Sequence, residues 1–242
     1  MNEIVVHGLS VPLKRHEVSP VIWEALSNGT YEQKESHLNP RIARPNDRIL
    51  ELGCGLGIVS TLVSRVPGVH IRAFDANPAN IPLARRVAAA NNAENIVFAH
   101  GLLTSGEPRS LPFYIREDMW MSSLIEEQGP YLDKIGIVTQ DIDLYLVENP
   151  ADLIMMDIEG GELPLLTGAA LPGVQRVLFE IHDHLYSLSD LGRIFSALIA
   201  QGFSYDPRSS SGALVLLTRD DTPRSYRPDF LDLALRVFEH AL

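Results

Sequence analysis

The stretch Arg48-Ile-Leu-Glu-Leu-Gly-Cys-Gly-Leu-Gly57, continued by Ile58 to Val66 and by Val69-His-Ile-Arg-Ala-Phe-Asp75, decides the fold. Arg48 to Leu52 is a short apolar run of strand type. Ile58 to Val66 has helical spacing and is ended by Pro67-Gly68, and Val69 to Phe74 reads as a second strand. A strand, a glycine loop that opens a helix, and another strand make the unit in which two parallel strands are joined by a crossover helix. In sheets built from such units, ligands bind beyond the carboxyl ends of the strands. The residues just after each strand therefore carry the functional signal.

The same rhythm continues outward. Asn77 caps, and Pro78 opens, a helix that runs through Ala84 to Ala90 and stops at Asn91-Asn92. Asn95 to Ala99, Asp152 to Ile158 and Arg176 to Ile181 read as buried strands, with Glu162 to Leu166 between the last two. Ser189-Asp190 caps a helix through Ala200 that Gly202 closes, and Phe203 to Tyr205 with Ala213 to Thr218 form a terminal antiparallel pair. The expectation is one open, mostly parallel α/β sheet over residues 47–220. Residues 1–46 form a cap, with a strand pair in Ile4 to Val11 and a helix around Trp23. Residues 100–150 are an insertion with no strong period, and 221–242 a helix apolar at Phe230, Leu233, Val237 and Phe238, packed on the domain or serving as a homodimer contact.

Composition narrows the partners. The chain has 242 residues with 20 Lys+Arg against 31 Asp+Glu, a formal net charge of −11, which disfavours a phosphate-backbone partner. The single cysteine, Cys54, excludes an intramolecular disulfide and a four-cysteine zinc site. No apolar run approaches the ~20 residues that span a bilayer, and Met1 to Gly8 lacks the pattern of a signal peptide. A cytoplasmic location is expected.

The glycine loop then selects a ligand. Its spacing is G-x-G-x-G, not the G-x-G-x-x-G of a dinucleotide fingerprint, because residue 58 is Ile. Asp75 stands 20 residues after Gly55 at the end of the second strand, where a carboxylate accepts hydrogen bonds from ribose hydroxyls. Glu51, at the mouth of the loop, repels phosphate and suits an ammonium group. A ribose and an ammonium together point to S-adenosylmethionine. Gly53, Cys54, Gly55, Gly57 and Ala76 join Glu51 and Asp75 as its expected neighbours, with Cys54 a small loop residue and not a nucleophile.

With these residues in hand, the chain resembles the FkbM family of class I S-adenosylmethionine-dependent methyltransferases over most of residues 28–218. The resemblance is carried by Gly29-Thr-Tyr31-Glu32, Asp47 to Ser60 and Ala73-Phe-Asp-Ala-Asn-Pro78. It rests above all on Asp152-Leu-Ile-Met-Met-Asp157-Ile-Glu159-Gly160-Gly-Glu162-Leu163, followed by Leu166-Thr-Gly-Ala169 and Val177-Leu-Phe-Glu180-Ile-His182. It implies a Rossmann-like, seven-stranded sheet whose last pair is antiparallel, and O-methylation of a hydroxyl, often on a sugar or natural-product scaffold. By the same resemblance Tyr31 and Glu32 fold over the cofactor. The family often has Asn at Gly55 and aspartate at Glu51, departures that keep the generic class I loop, and Lys at Met156, a departure that removes a possible cation beside the catalytic strand and leaves the acceptor's charge open.

Methyl transfer to an alcohol needs an aligned oxygen and a proton acceptor or a metal ion. Asp157 and Glu159 are two apart at one strand end, and Glu180 and His182 at the next, so regular pairing puts each pair on one face. His182 is the first candidate base because its ordinary pKa lies near neutrality, with Asp157 the alternative. Asp157, Glu180 and His182 could instead hold a hard divalent cation, and a satisfied, partly buried histidine is an equally open reading. Trp120 and Ser122 offer an aromatic face and a hydroxyl to the acceptor, core packing being the alternative for Trp120. The reading is thus an O-methyltransferase for a small-molecule hydroxyl. Its competitors are a methyltransferase-fold scaffold subunit without turnover and, further behind, a nucleotide-dependent oxidoreductase.

Overall fold

The computed structural model describes residues 4–220 and 222; the C-terminal helix expected over 221–242 lies outside the described residues. In chain order the elements are β1 (Ile4–Val6), β2 (Leu9–Val11), α1 (Pro20–Asn28), α2 (Gln33–Ile42), β3 (Arg48–Leu52), α3 (Ile58–Val63), β4 (His70–Asp75), α4 (Asn80–Ala90) and β5 (Ile96–His100). The 100–150 segment contributes β6 (Leu103–Thr104), β7 (Ser110–Ile115), β8 (Asp133–Val138), β9 (Gln140–Asp141) and α5 (Ile142–Glu148). Then follow β10 (Leu153–Met156), α6 (Glu162–Gly168), β11 (Arg176–Glu180), α7 (Leu188–Ala200), β12 (Ser204–Tyr205) and β13 (Leu214–Thr218).

Seven strands form one sheet in the order β12-β13-β11-β10-β3-β4-β5. The five from β5 to β11 are parallel, and β13 runs antiparallel to both β11 and β12. This is the mostly parallel sheet with a terminal antiparallel pair that the sequence leads one to expect. The chain moves outward in one direction from β3 through β4 to β5, and in the other from β10 to β11, so β3 and β10 flank the switch point. Both faces are covered. One buries Leu50, Ile154 and Phe179 beneath α5, α6 and α7, and the other buries Ile49, Met155 and Leu178 with Val59, Val63 and Ala84 of α3 and α4. A sheet buried on both sides explains why β10 is wholly apolar and β11 is apolar from Val177 to Phe179.

Local chemistry moved several boundaries. Pro78 stands in a turn ahead of α4, where Asn77 Oδ1 accepts the Ala79 amide at 3.1 Å, so Asn77 does not cap the helix. The cap of α7 is Ser187, paired reciprocally with Asp190, and Ser189 lies within the helix. α3 ends three residues early at Val63, and β10 ends at Met156, before Asp157 and Glu159. The cap residues form the expected hairpin and helix, and Val6, Leu9, Ile22 and Leu26 share a core with Leu56 and Ile58 at the glycine loop.

The insertion is more ordered than its pattern suggests. β7 and β8 pair antiparallel over six residues each, outside the main sheet, and Pro112 with mixed burial on both strands obscures their alternation. α5 is only seven residues long and is the crossover helix before β10. The loop 116–129 is wrapped around the buried Arg116 guanidinium, which donates to the carbonyls of Ile125 (2.7 Å) and Met121 (3.2 Å).

One buried ion pair fastens the cap side of the sheet. Arg176 at the start of β11 donates to Asp47 at 2.5 Å and to the Ile42 carbonyl at 2.7 Å, and both charged side chains are almost fully buried. Asp47→Ala leaves that guanidinium buried without its counter-charge, and a loss of about 3–5 kcal/mol is expected in denaturant unfolding.

Candidate active site

An open cleft of about 1040 Å³ lies at the carboxyl ends of β3, β4 and β10. Gly53, Gly55, Asp75, Asp157, Glu159 and Trp120 are on its wall. The glycine loop needs its glycines for different reasons. At Gly53 (φ 85°) a Cβ would stand 1.7 Å from the Asp157 carbonyl oxygen, because the loop lies directly against the adjacent strand end. At Gly57 (φ 70°) a Cβ would meet Ala84 Cβ at 2.9 Å, so this glycine allows α3 to pack on α4, and it is not among the cleft residues expected of it. The Asp75 carboxylate accepts the amides of Gly55 (2.8 Å) and Asn77 (2.7 Å), which aims it into the cleft; burial raises its pKa and these amides oppose the rise. Ala76 lines the cleft beside it, with Phe74, Leu102 and Leu103 forming an apolar wall.

Glu51 is not at the mouth of the loop. It is 4 % exposed within β3, takes a hydrogen bond from Ser60 Oγ, and faces a smaller cavity shared with Glu32, Cys54 and Asp157. Burial pushes its pKa up to about 7, and the Ser60 bond only partly offsets this. Burial likewise holds the Cys54 thiol well above its ordinary value, as an inert loop residue requires. Tyr31 is buried on the cleft wall and stacks on Trp120 with centroids 5.8 Å apart, so the cap and the insertion meet over the ligand space. Glu32, at the left-handed φ of 46°, lines both cavities, and burial raises its pKa strongly. Ser122 also borders the cleft, but its Oγ already accepts the Arg116 amide at 3.0 Å.

The strand-end residues converge, though not by the expected route. Past Met156 the chain leaves extended geometry, and Glu159 adopts φ 51°, so Asp157 and Glu159 do not share a pleated face. What gathers them is Glu162, which is completely buried at the first turn of α6. Its carboxylate accepts the amides of Ile158 (3.0 Å) and Gly160 (2.9 Å) and lies 3.2 Å from His182 Nδ1. The other ring nitrogen of His182 is 3.4 Å from Asp157 Oδ1 and 3.7 Å from Glu159 Oε1. Burial alone lowers the His182 pKa, yet Glu162, Asp157 and Glu159 outweigh it and raise it to about 9. The near-neutral value that recommended His182 as a base is therefore absent. Asp157 is displaced the other way: burial first, then Glu180, hold its pKa well above the ordinary carboxylate value. Asp157 and Glu159 line the cleft, whereas Glu180 and His182 are not on its wall.

Several functional neighbours have no signature of their own in the sequence. Glu162 is legible only as part of the Asp157-Ile-Glu159-Gly-Gly-Glu162 string. Gln128 of the insertion donates to Glu159 at 3.1 Å, and the buried side-chain oxygens of Asn80 and Thr104 lack partners on the cleft wall. Unpartnered acceptors together with the carboxylates of Glu32, Asp75 and Asp157 fit a ligand that brings hydroxyl or amino donors and positive charge. S-adenosylmethionine has both, with Asp75 placed for its ribose and the apolar wall for its base.

The sheet order, the loop after β3 and the acidic end of β4 define a class I methyltransferase fold. A family model described as the methyltransferase FkbM domain matches residues 33–205, and the chain belongs to that S-adenosylmethionine-dependent family. Solved structures similar to it include precorrin-6y C5,15-methyltransferase from Geobacter metallireducens (13% identity, 77% of this chain and 85% of that one, TM-score 0.44). Others are a TehB-like SAM-dependent methyltransferase from Corynebacterium glutamicum (14%, 82% and 94%, TM-score 0.46) and Aeropyrum pernix fibrillarin with bound S-adenosyl-L-methionine (13%, 72% and 67%, TM-score 0.44). Among the described residues no helix is long and apolar enough to cross a membrane.

The raised pKa of Glu51 has a consequence for stability. In the unfolded chain the group ionises near 4.5 and in the fold near 7, so its contribution to stability is fully present below 4.5 and lost as pH rises through 7. Glu51→Gln removes that loss. The stability difference between variant and parent, measured by denaturant unfolding, is expected to grow in the variant's favour between these pH values by up to about 3 kcal/mol and then level off. A difference that does not vary with pH would count against it.

Proposed function

We propose that the protein transfers the methyl group of S-adenosylmethionine to a hydroxyl of a small glycoside, saccharide or secondary metabolite, with Asp157 as the proton acceptor. The observation that carries this reading is the position of Asp157. Its carboxylate stands at the end of β10 on the wall of the cleft that also holds Gly53 and Asp75, with its proton affinity raised by burial. The donor supplies an activated methyl carbon. An acceptor oxygen attacks it as the carbon–sulfur bond breaks, the sulfur leaves neutral, and the hydroxyl proton passes to Asp157. The His182 ring stands beside Asp157, and Glu162 keeps that ring in place. Trp120 and Met119 border the acceptor end with apolar surface, which suits a ring face more than a charged chain. A small molecule of the cytoplasm is the expected partner, and the acidic wall gives no footing to nucleic acid.

Isotope transfer from methyl-labelled S-adenosylmethionine to a panel of hydroxylated glycosides and metabolites, with the product bond assigned by NMR, tests the reading. Asp157→Asn is expected to lower kcat about 10²- to 10⁴-fold, whereas Asp75→Ala mainly weakens binding of S-adenosylhomocysteine in calorimetry. Methylation at nitrogen or carbon would overturn the hydroxyl assignment, and unchanged kcat in Asp157→Asn would remove the base. Binding of the donor with no transfer to any acceptor would favour a scaffold subunit.

A further inference from the structure

The methyltransfer reading uses Asp157, but leaves Glu180 and His182 without direct access to the cleft. His182 is 5 % exposed, and its ring lies among Glu162, Asp157 and Glu159 at 3.2, 3.4 and 3.7 Å. Despite this proximity, Nδ1 makes no aligned hydrogen bond, and the buried Oδ1 of Asp157 also lacks a hydrogen-bond partner. Asp157 Oδ1 faces Nε2 of His182 and is buried without a hydrogen-bond partner, and in a packed interior such an atom signals a missing partner. Glu180 completes the arrangement: one ligand atom each from Asp157, Glu180 and His182 lie within 4.8 Å of one another. That spacing is what three groups around a single small cation show when each bond is about 2.0–2.3 Å.

We propose that Asp157, Glu180 and His182 bind a divalent cation of the magnesium–manganese class, with Glu162 positioning the histidine. Two carboxylates and an imidazole are ligands that a hard to borderline ion accepts, and no thiolate is present to favour a soft one. Glu162 stands against Nδ1 while Nε2 faces Asp157, the disposition in which a carboxylate fixes the ring of a metal-ligating histidine. Charge argues in the same direction. Asp157, Glu159, Glu162 and Glu180 crowd one imidazole. A bound dication would supply the positive charge that the neighbouring side chains lack.

The ion would not sit in the cleft itself. Asp157 Oδ1 is buried toward His182, yet the Asp157 side chain as a whole is 39% exposed, so the rest of its carboxyl group looks into the ligand space. One residue therefore joins the cation to the acceptor. This role for the ion, though not its binding, rests on the hydroxyl-methylation reading.

Chelator-treated, dialysed full-length protein is titrated with Mn²⁺, and free ion is followed by EPR. A single Mn²⁺ per chain, displaced by Mg²⁺, is expected, with Glu180→Gln and His182→Gln each weakening Mn²⁺ about tenfold or more. S-adenosylhomocysteine binding by calorimetry should persist in both variants, which shows that they are folded. If His182→Gln does not fold, Glu180→Gln, at a less deeply buried position, carries the test. Absence of saturable binding at millimolar Mn²⁺, or stoichiometric binding that Glu180→Gln leaves unchanged, would overturn the site. Specific Mn²⁺ binding without binding of S-adenosylhomocysteine would instead sink the methyltransfer reading and leave the cation site standing.

Discussion

The Glu162 carboxylate has no contact with solvent, so its oxygens must be satisfied inside the protein. They take the amides of Ile158 and Gly160 and abut His182, and these contacts shape the chain between β10 and α6. That turn forces Glu159 and Gly160 to positive φ and brings the Asp157 carbonyl so close to Gly53 that no side chain fits there. The glycine loop, the acidic strand end and the buried histidine are consequently one unit. Loosening any of them would disturb the others.

The same crowding explains the electrostatics. Glu32, Glu51, Asp75, Asp157, Glu159 and Glu180 all have raised pKa values, and burial is the first cause in each case. A fold tolerates so many desolvated carboxylates when a cation completes them. A sulfonium or ammonium ligand would answer the charge on the β3–β4 side, where Asp75 and Glu32 stand, and the dication we propose would answer that on the β10–β11 side. The insertion contributes from above: Arg116 holds its loop together, Gln128 reaches Glu159, and Trp120 closes on Tyr31 from the cap. The extra length outside the sheet is thereby used at the rim of the cleft.

Much of this was legible in the residue order. Apolar runs at Ile49-Leu50, Leu153–Met156 and Val177 to Phe179 mark doubly covered strands, and the spacing of Gly53, Gly55 and Asp75 marks the cofactor end of the sheet. The hairpin of the insertion was not legible, since Pro112 and alternation that lacks a clean buried face hide it. Nor was the cap of α7, where Ser187 and Ser189 are both suitable residues and only the backbone shows which one receives the Asp190 amide.

Local periodicity, turn chemistry and motif spacing thus determined the α/β class, the parallel core and the identity of the acidic residues, because these depend on near neighbours in the chain. Tertiary structure alone decided what those acids do. It buried Glu51 below the loop, assigned Gly57 to helix packing, and set three carboxylates around His182 so that its proton affinity rose instead of remaining near neutrality. Charge coupling and desolvation act through space between groups from separate strands, and a pKa is therefore a property of the folded neighbourhood.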